Sequence, residues 1–138
     1  MHVQHLVIAP VDADIDPDWI AQRLLKLTRG CFDYFRFEKE ASPDEAMKFI
    51  RWLVSEYCHL AGEVGRDMVI DAVTDDAKWI KVLDLVALTR GVPCSPVPTV
   101  WQVNSHGNLE QLAMMQIMFI KLSGKLPEAK YLLFDSHY

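Results

Sequence analysis

Carboxylates and imidazoles follow directly after several apolar segments of this sequence. Carboxylate oxygens are ligands that Mg²⁺ accepts, usually one or two of them together with water. An imidazole titrates at about pH 6.5 and can move a proton beside such an ion. The candidate metal ligands are Asp12, Asp14 and Asp76, and the candidate catalytic residues are His106, His137 and Asp75.

These residues also have a simpler structural interpretation. Short polar side chains at the end of a strand accept hydrogen bonds from the free N–H groups of a following helix. A helix is predicted after each of the loops in question except the last. Both interpretations, capping of helices and a metal-dependent site, are open at the level of the sequence.

Common catalytic motifs are missing from the chain. The segment after the first apolar run, Pro10 to Asp14, contains no glycine, so it cannot form the phosphate cradle of a dinucleotide-binding turn. The sequence also contains no Walker loop, no nucleophile elbow and no HExxH zinc motif. His2 and His5 are spaced as HxxH, but in a strand they would face opposite sides.

Charge and hydropathy narrow the range of partners and locations. The net charge of −5 argues against nucleic acid, whose phosphates require a basic surface. The longest apolar stretch, 112–120, is shorter than the roughly 20 residues of a membrane span. The first residues lack the basic and apolar regions of a signal peptide. We therefore predict a cytoplasmic protein that binds neither membrane nor nucleic acid.

The three cysteines, Cys31, Cys58 and Cys94, form no CxxC pair. An odd number of widely spaced cysteines in a chain predicted to be cytoplasmic indicates reduced, mostly buried side chains. No cofactor is predicted for the protein, except Mg²⁺ under the metal-dependent interpretation.

Two halves of the sequence resemble each other. The segment Leu6 to Asp14 is similar to Met68 to Asp76, and a Leu-Thr-Arg-Gly sequence recurs at 27–30 and 88–91. These matches share an offset of about 61 residues, which favours an internal repeat of residues 5–64 and 67–126. A further strand at 130–135 would complete one domain spanning residues 1–138.

The predicted elements alternate between strands and helices. Strands starting near residues 5, 32, 67, 99 and 130 predict five mostly parallel strands connected by helices. The sequence therefore predicts a three-layer α/β/α sandwich, (βαβα)₂β, with flavodoxin-like or Rossmann-like winding. The second strand is the least certain and could lie at an edge or run antiparallel. In a parallel sheet the polar strand ends described above would meet at one rim.

The segment from Leu109 to Leu122 predicts a helix that is apolar over more than one face. A surface helix usually has one apolar stripe, so this helix needs a second covering surface. We expect a homodimer or another protein partner there, and methionines suit an adaptable contact. The alternative is that the methionines fill an irregular core. The candidate interface residues are Met114, Ile117, Met118 and Lys121.

Three functions follow from these patterns. The leading hypothesis is a non-catalytic binding or regulatory module that acts through protein–protein contact as a dimer. The alternative is a small Mg²⁺-dependent hydrolase or phosphotransfer enzyme with its Asp and His residues at the strand ends. A third hypothesis is a small-molecule sensor with an apolar cleft around Trp101 and Tyr131.

Overall fold

The structure, a computed structural model, describes residues 1–28, 31–64, 98–112 and 114–138, without the side chains of 57–64, 114 and 115. The predicted strand at 67–73, the helix after it, and Asp75 and Asp76 lie outside the described residues. The elements in chain order are β1 (His2–Ala9), α1 (Pro17–Leu27), β2 (Tyr34–Ala41), α2 (Pro43–Val64), β3 (Thr99–Val103), β4 (Leu109–Gln111), α3 (Met114–Ser123) and β5 (Lys130–His137).

The five strands form one mixed sheet in the order β2-β5-β1-β3-β4. Strands β1 and β3 are parallel, with His5 opposite Thr99 and Ile8 opposite Gln102. Strand β5 runs antiparallel to both β1 and β2, and β4 runs antiparallel to β3. Strand β2 therefore lies at one edge and the short β4 at the other.

The predicted parallel (βαβα)₂β sandwich is therefore wrong. Alternation of strands and helices predicted five mostly parallel strands, but β5 inserts between β1 and β2 in the opposite direction. Its residues from Tyr131 to Ser136 are all buried, which is typical of a central strand covered on both faces. Such an apolar run carries no signal for its direction.

Alternate residues of the strands pack into two cores on opposite faces of the sheet. Val7 and Ala9 of β1 face α1, which buries Ile20 and Leu24 against them. Leu6 and Ile8 face α2 and α3. The second core is built from Ala46, Phe49, Ile50, Leu53 and Val54 of α2, Ile117 of α3, and Val100, Tyr131 and Leu133 of the sheet.

The start signals of the first two helices work as the sequence predicts. Asp16 accepts a hydrogen bond from the backbone N–H of Asp18 at 3.0 Å, and Pro17 occupies the first turn of α1. At α2, the Ser42 hydroxyl accepts from the Glu45 N–H at 3.2 Å, and the Glu45 carboxylate accepts from the Ser42 N–H at 3.3 Å. This reciprocal pair is a capping box, whose Ser-x-x-Glu spacing is visible in the sequence.

The predicted helix from Leu109 to Leu122 begins later than expected. Residues 104–108 form a tight turn that leads into a strand: the Asn104 side chain accepts from the backbone N–H groups of His106 and Asn108 at 2.9 and 3.0 Å. Gly107 adopts the left-handed backbone conformation, with φ 76°, that favours glycine. Leu109–Gln111 then returns along β3 as β4, so α3 spans only Met114–Ser123.

Within the ranges given above, no helix combines the length and hydropathy that a membrane crossing requires.

Candidate functional site

The polar residues predicted to meet at one rim lie at two opposite ends of the strands. Asp12, Asp14 and His106 lie in loops that follow β1 and β3. These strands are parallel neighbours, so both loops lie at the same end of the strands. These three residues are exposed. In the described part of the chain, their side chains form no hydrogen bond or ion pair with one another, and no group of three potential ligands could hold a metal ion.

His137 lies at the opposite end of the strands. Because β5 is antiparallel to β1, His137 pairs with His2 at the start of β1. The other end of β1, at Ala9, is seven residues from His2, which corresponds to roughly 23 Å at the rise of a β-strand. His137 is therefore separated from Asp12, Asp14 and His106, and Asp75 and Asp76 lie outside the described residues.

The two aromatic residues of the predicted sensor cleft do not share a cleft. Trp101 packs in the core beside α1, whereas Tyr131 packs in the core beside α2 and α3. Both side chains are buried, and the sheet separates them.

Helix α3 places the predicted interface residues in different environments. Ile117 is buried in the core and Met118 packs partly against that core, whereas Lys121 is exposed. The side chain of Met114 is not described. The outward side of α3 instead carries Phe119 and Leu122, which are 72% and 78% exposed. The sequence predicted an excess of apolar surface on this helix, and these two residues are its exposed part.

A largely apolar cavity of about 660 Å³ lies beside the exposed Phe119. It extends from the end of α3 to the sheet residues Ile8 and Gln102, so it lies near the carboxyl ends of the parallel pair β1 and β3. The remaining walls are Leu112, Gln116, Ile120, Lys125, Leu126 and Pro127. Its volume is within the range of about 300–1,000 Å³ in which ligand pockets of proteins fall.

A second cavity, of about 580 Å³, adjoins the first across Leu126 and Pro127. It lies between α2 and the segment before β5, and it contains both signs of charge. Lys48 and Arg51 of α2 line it together with Asp44 and Glu128. The mixture of charges distinguishes this cavity from the apolar one.

His5 and Ser136 lie as close as a catalytic base and its nucleophile, but the hydrogen bond between them runs from the histidine to the serine. His5 Nε2 lies 2.7 Å from Ser136 Oγ, and Nδ1 lies 2.7 Å from Thr99 Oγ1. The Ser136 hydroxyl donates to the Val3 carbonyl at 3.1 Å, so its oxygen accepts from His5 Nε2–H. A catalytic base would instead accept the serine proton.

The other side of His5 completes a directed chain of hydrogen bonds. The indole N–H of Trp101 donates to Thr99 Oγ1 at 2.7 Å, so the Thr99 hydroxyl is free to donate to His5 Nδ1. Every polar atom of this group is paired, and His5 is fully buried. Burial lowers the pKa of His5 from 6.5 to about 3, so the ring is neutral at physiological pH. The arrangement is structural: it ties β1, β3 and β5 together.

Neither the His5 network nor the apolar cavity is predicted by the sequence patterns described above. The network contains Ser136, which follows the predicted strand 130–135, and Thr99, which begins the predicted strand near residue 99. The alternation of β1 placed His5 and His2 on opposite faces, as the sequence predicted. The partners across the sheet depend on strand order, and no local pattern contains that information.

Comparison of the chain with protein-family models, with curated proteins and with solved structures finds no match.

Proposed function

We propose that this protein is a non-catalytic binding module that acts by protein–protein contact, with a second copy of the chain as its partner. The observation that carries the proposal is the exposed Phe119 at the rim of an apolar cavity of about 660 Å³. An aromatic side chain and a cavity that can receive it lie side by side on one surface.

Such a surface is suited to contact a copy of itself. In a two-fold dimer the same patch meets on both subunits, so a group that contacts its partner's cavity receives the equivalent contact in return. Phe119 of each subunit would enter the cavity of the other, with Leu122 beside it. Burying one phenylalanine side chain stabilises a contact by roughly 1.5–3 kcal/mol, and the two-fold axis doubles this contribution.

The polar residues around the cavity fit an interface of this kind. Gln102, Gln116 and Lys125 line it together with the apolar residues. Protein interfaces commonly have an apolar centre and a polar rim. In this arrangement Lys121 is a rim residue, and Ile117 supports the interface from the core rather than contacting the partner.

The oligomeric state tests the proposal directly. We expect the wild-type chain to be a dimer in sedimentation equilibrium, and Phe119→Glu to be a monomer because it would place a charge in an apolar cavity. Leu27→Glu is the matched control, because Leu27 is also an exposed apolar residue but ends α1 on the other face of the sheet. A wild-type chain that remains monomeric at its highest soluble concentration would overturn the proposal.

The Mg²⁺-dependent alternative, which uses Asp12, Asp14, Asp75 or Asp76 with His106 or His137, stays a prediction, because Asp75 and Asp76 lie outside the described residues. A cytoplasmic location also stays a prediction. One observation weighs against it: Cys31 is disulfide-bonded, contrary to the expectation of reduced cysteines. Disulfides persist mainly in oxidising compartments.

A further inference from the structure

Three aromatic side chains form a row across one end of the sheet. Tyr34 of β2 is opposite His137 of β5, and His137 is opposite His2 of β1. The ring of Tyr34 stacks on His137 at a centroid distance of 5.8 Å and an interplanar angle of 10°. The rings of His2 and His137 lie 5.1 Å apart, at an angle of 67°. The two imidazoles are thus direct cross-strand neighbours with one ring fixed by stacking.

Each imidazole uses its Nδ1 to contact a carboxylate. His2 Nδ1 lies 2.8 Å from Asp135 Oδ2, and His137 Nδ1 lies 2.9 Å from Asp33 Oδ2. A neutral ring that donates from Nδ1 has its lone pair on Nε2. Histidines that bind metals commonly have this arrangement, in which a carboxylate fixes the tautomer and the ring orientation.

The carboxylate beneath His2 is itself held in place. The Asp135 side chain is 7% exposed, and Arg36 Nη2 lies 3.7 Å from the same oxygen that contacts His2. Arg36 is opposite Asp135 in the neighbouring strand, so the backbone pairing fixes this contact. The side chains of His2 and His137 are 56% and 37% exposed, so solvent reaches the pair.

We propose that His2 and His137 form a cross-strand binding site for a divalent transition-metal ion such as Zn²⁺. Zinc binds imidazole nitrogen at about 2.0–2.1 Å, which at a tetrahedral angle places two ring centroids roughly 5.2 Å apart. The observed separation of 5.1 Å matches this value. Imidazole ligands select zinc, copper and nickel over magnesium. Water completes the coordination, because the described residues offer no third protein ligand.

This site is independent of the proposed dimer surface. It lies at the start of β1, whereas the apolar cavity contacts Ile8 near the end of the same strand. The spacing between His2 and Ile8 along β1 is roughly 20 Å. A metal site there adds a ligand-binding function that the dimer proposal neither requires nor excludes.

Titration with Zn²⁺ alone tests the site, using isothermal calorimetry on the full chain without a polyhistidine tag. We expect one ion per chain, and His2→Gln and His137→Gln should each weaken binding by about tenfold or more. The double variant should bind more weakly than either single variant, because it keeps neither ring. Asp135→Asn should weaken binding less than loss of a ring, since Asp135 only positions His2.

His106→Gln is the matched control, because His106 is exposed in the turn between β3 and β4, at the other end of the strands from His2 and His137. It should bind zinc as the wild type does. Wild-type affinity in both His2→Gln and His137→Gln would overturn the proposal. Loss of binding in His2→Gln alone would also overturn it, because the ion would then be held by the chain around His2 and not by the pair. Thermal unfolding without zinc should show that all variants are folded.

Discussion

At the scale of single residues, the buried His5 is a polar group held on both ring nitrogens. Its two nitrogens contact Thr99 and Ser136, which fixes both the tautomer and the orientation of the ring. Phe32 and Phe35 pack against the ring at centroid distances of 5.2 and 4.9 Å. Burial among these groups therefore favours the neutral ring, and no described residue forms an ion pair with it.

This environment predicts a dependence of stability on pH. The pKa of His5 is lowered from 6.5 to about 3, so below pH 6.5 the unfolded chain binds a proton that the folded chain does not bind. The free energy of unfolding attributable to His5 is fully present above pH 6.5 and falls as the pH decreases toward 3. The slope approaches about 1.4 kcal/mol per pH unit.

Denaturant unfolding of wild type and His5→Gln between pH 7 and pH 4 measures this contribution. Glutamine keeps hydrogen-bonding groups at this position but does not titrate. We expect His5→Gln to be less stable at pH 7 by about 2 kcal/mol and to show a shallower pH dependence than the wild type. His106→Gln serves as the exposed control. Equal pH slopes in wild type and His5→Gln would show that His5 does not titrate as the structure indicates.

At the scale of elements, local signals predicted the beginnings of helices well. The Ser42–Glu45 capping box and the Asp16 cap are found where the sequence indicates them, because a cap depends on residues only two or three positions apart. The start of α3 could not be predicted in the same way. Asn108 has the side chain of a typical helix cap. The residues that follow it, Leu109–Gln111, pair with β3 as strand β4, so the helix begins only at Met114.

The capping box gives a test at this scale. Ser42→Ala removes the acceptor of the Glu45 N–H and should lower the free energy of unfolding by about 1 kcal/mol. Ser105→Ala is the matched control, since Ser105 is exposed in the β3–β4 turn and caps no helix. Urea denaturation of the two variants should separate them. An unchanged midpoint for Ser42→Ala would mean that the cap adds nothing to the start of α2.

At the scale of the whole molecule, the sequence predicted four of the sheet's strands approximately but not their order or directions. The predicted strands near residues 5, 32, 99 and 130 correspond to β1, β2, β3 and β5. The buried apolar runs of β1 and β5 are a local property of the sequence, whereas β2 is mostly exposed. The position of β5 between β1 and β2 depends on contacts across the whole chain. The neighbour of His137 could not be predicted for the same reason, because His137 lies beside His2 only when β5 pairs with β1.

The cysteine chemistry is also a property of the whole chain. Cys31 is disulfide-bonded, and the sequence contains three cysteines. A disulfide within one chain leaves one free thiol, so titration in denaturant without reductant should find one, and three after reduction. Cys31→Ser should show two free thiols without reductant. Three thiols in the unreduced wild type would contradict the disulfide and favour the cytoplasmic prediction.

The place of β5 at the centre of the sheet also has a consequence for synthesis of the protein. When β1, α1 and β2 leave the ribosome, the strand that must lie between β1 and β2 does not yet exist. Contacts such as that between His2 and Asp135 join residues 133 positions apart, and closing loops of this length slows folding. Until β5 arrives, the facing edges of β1 and β2 are unpaired and open to other chains. The nascent chain is therefore exposed to aggregation until β5 is made.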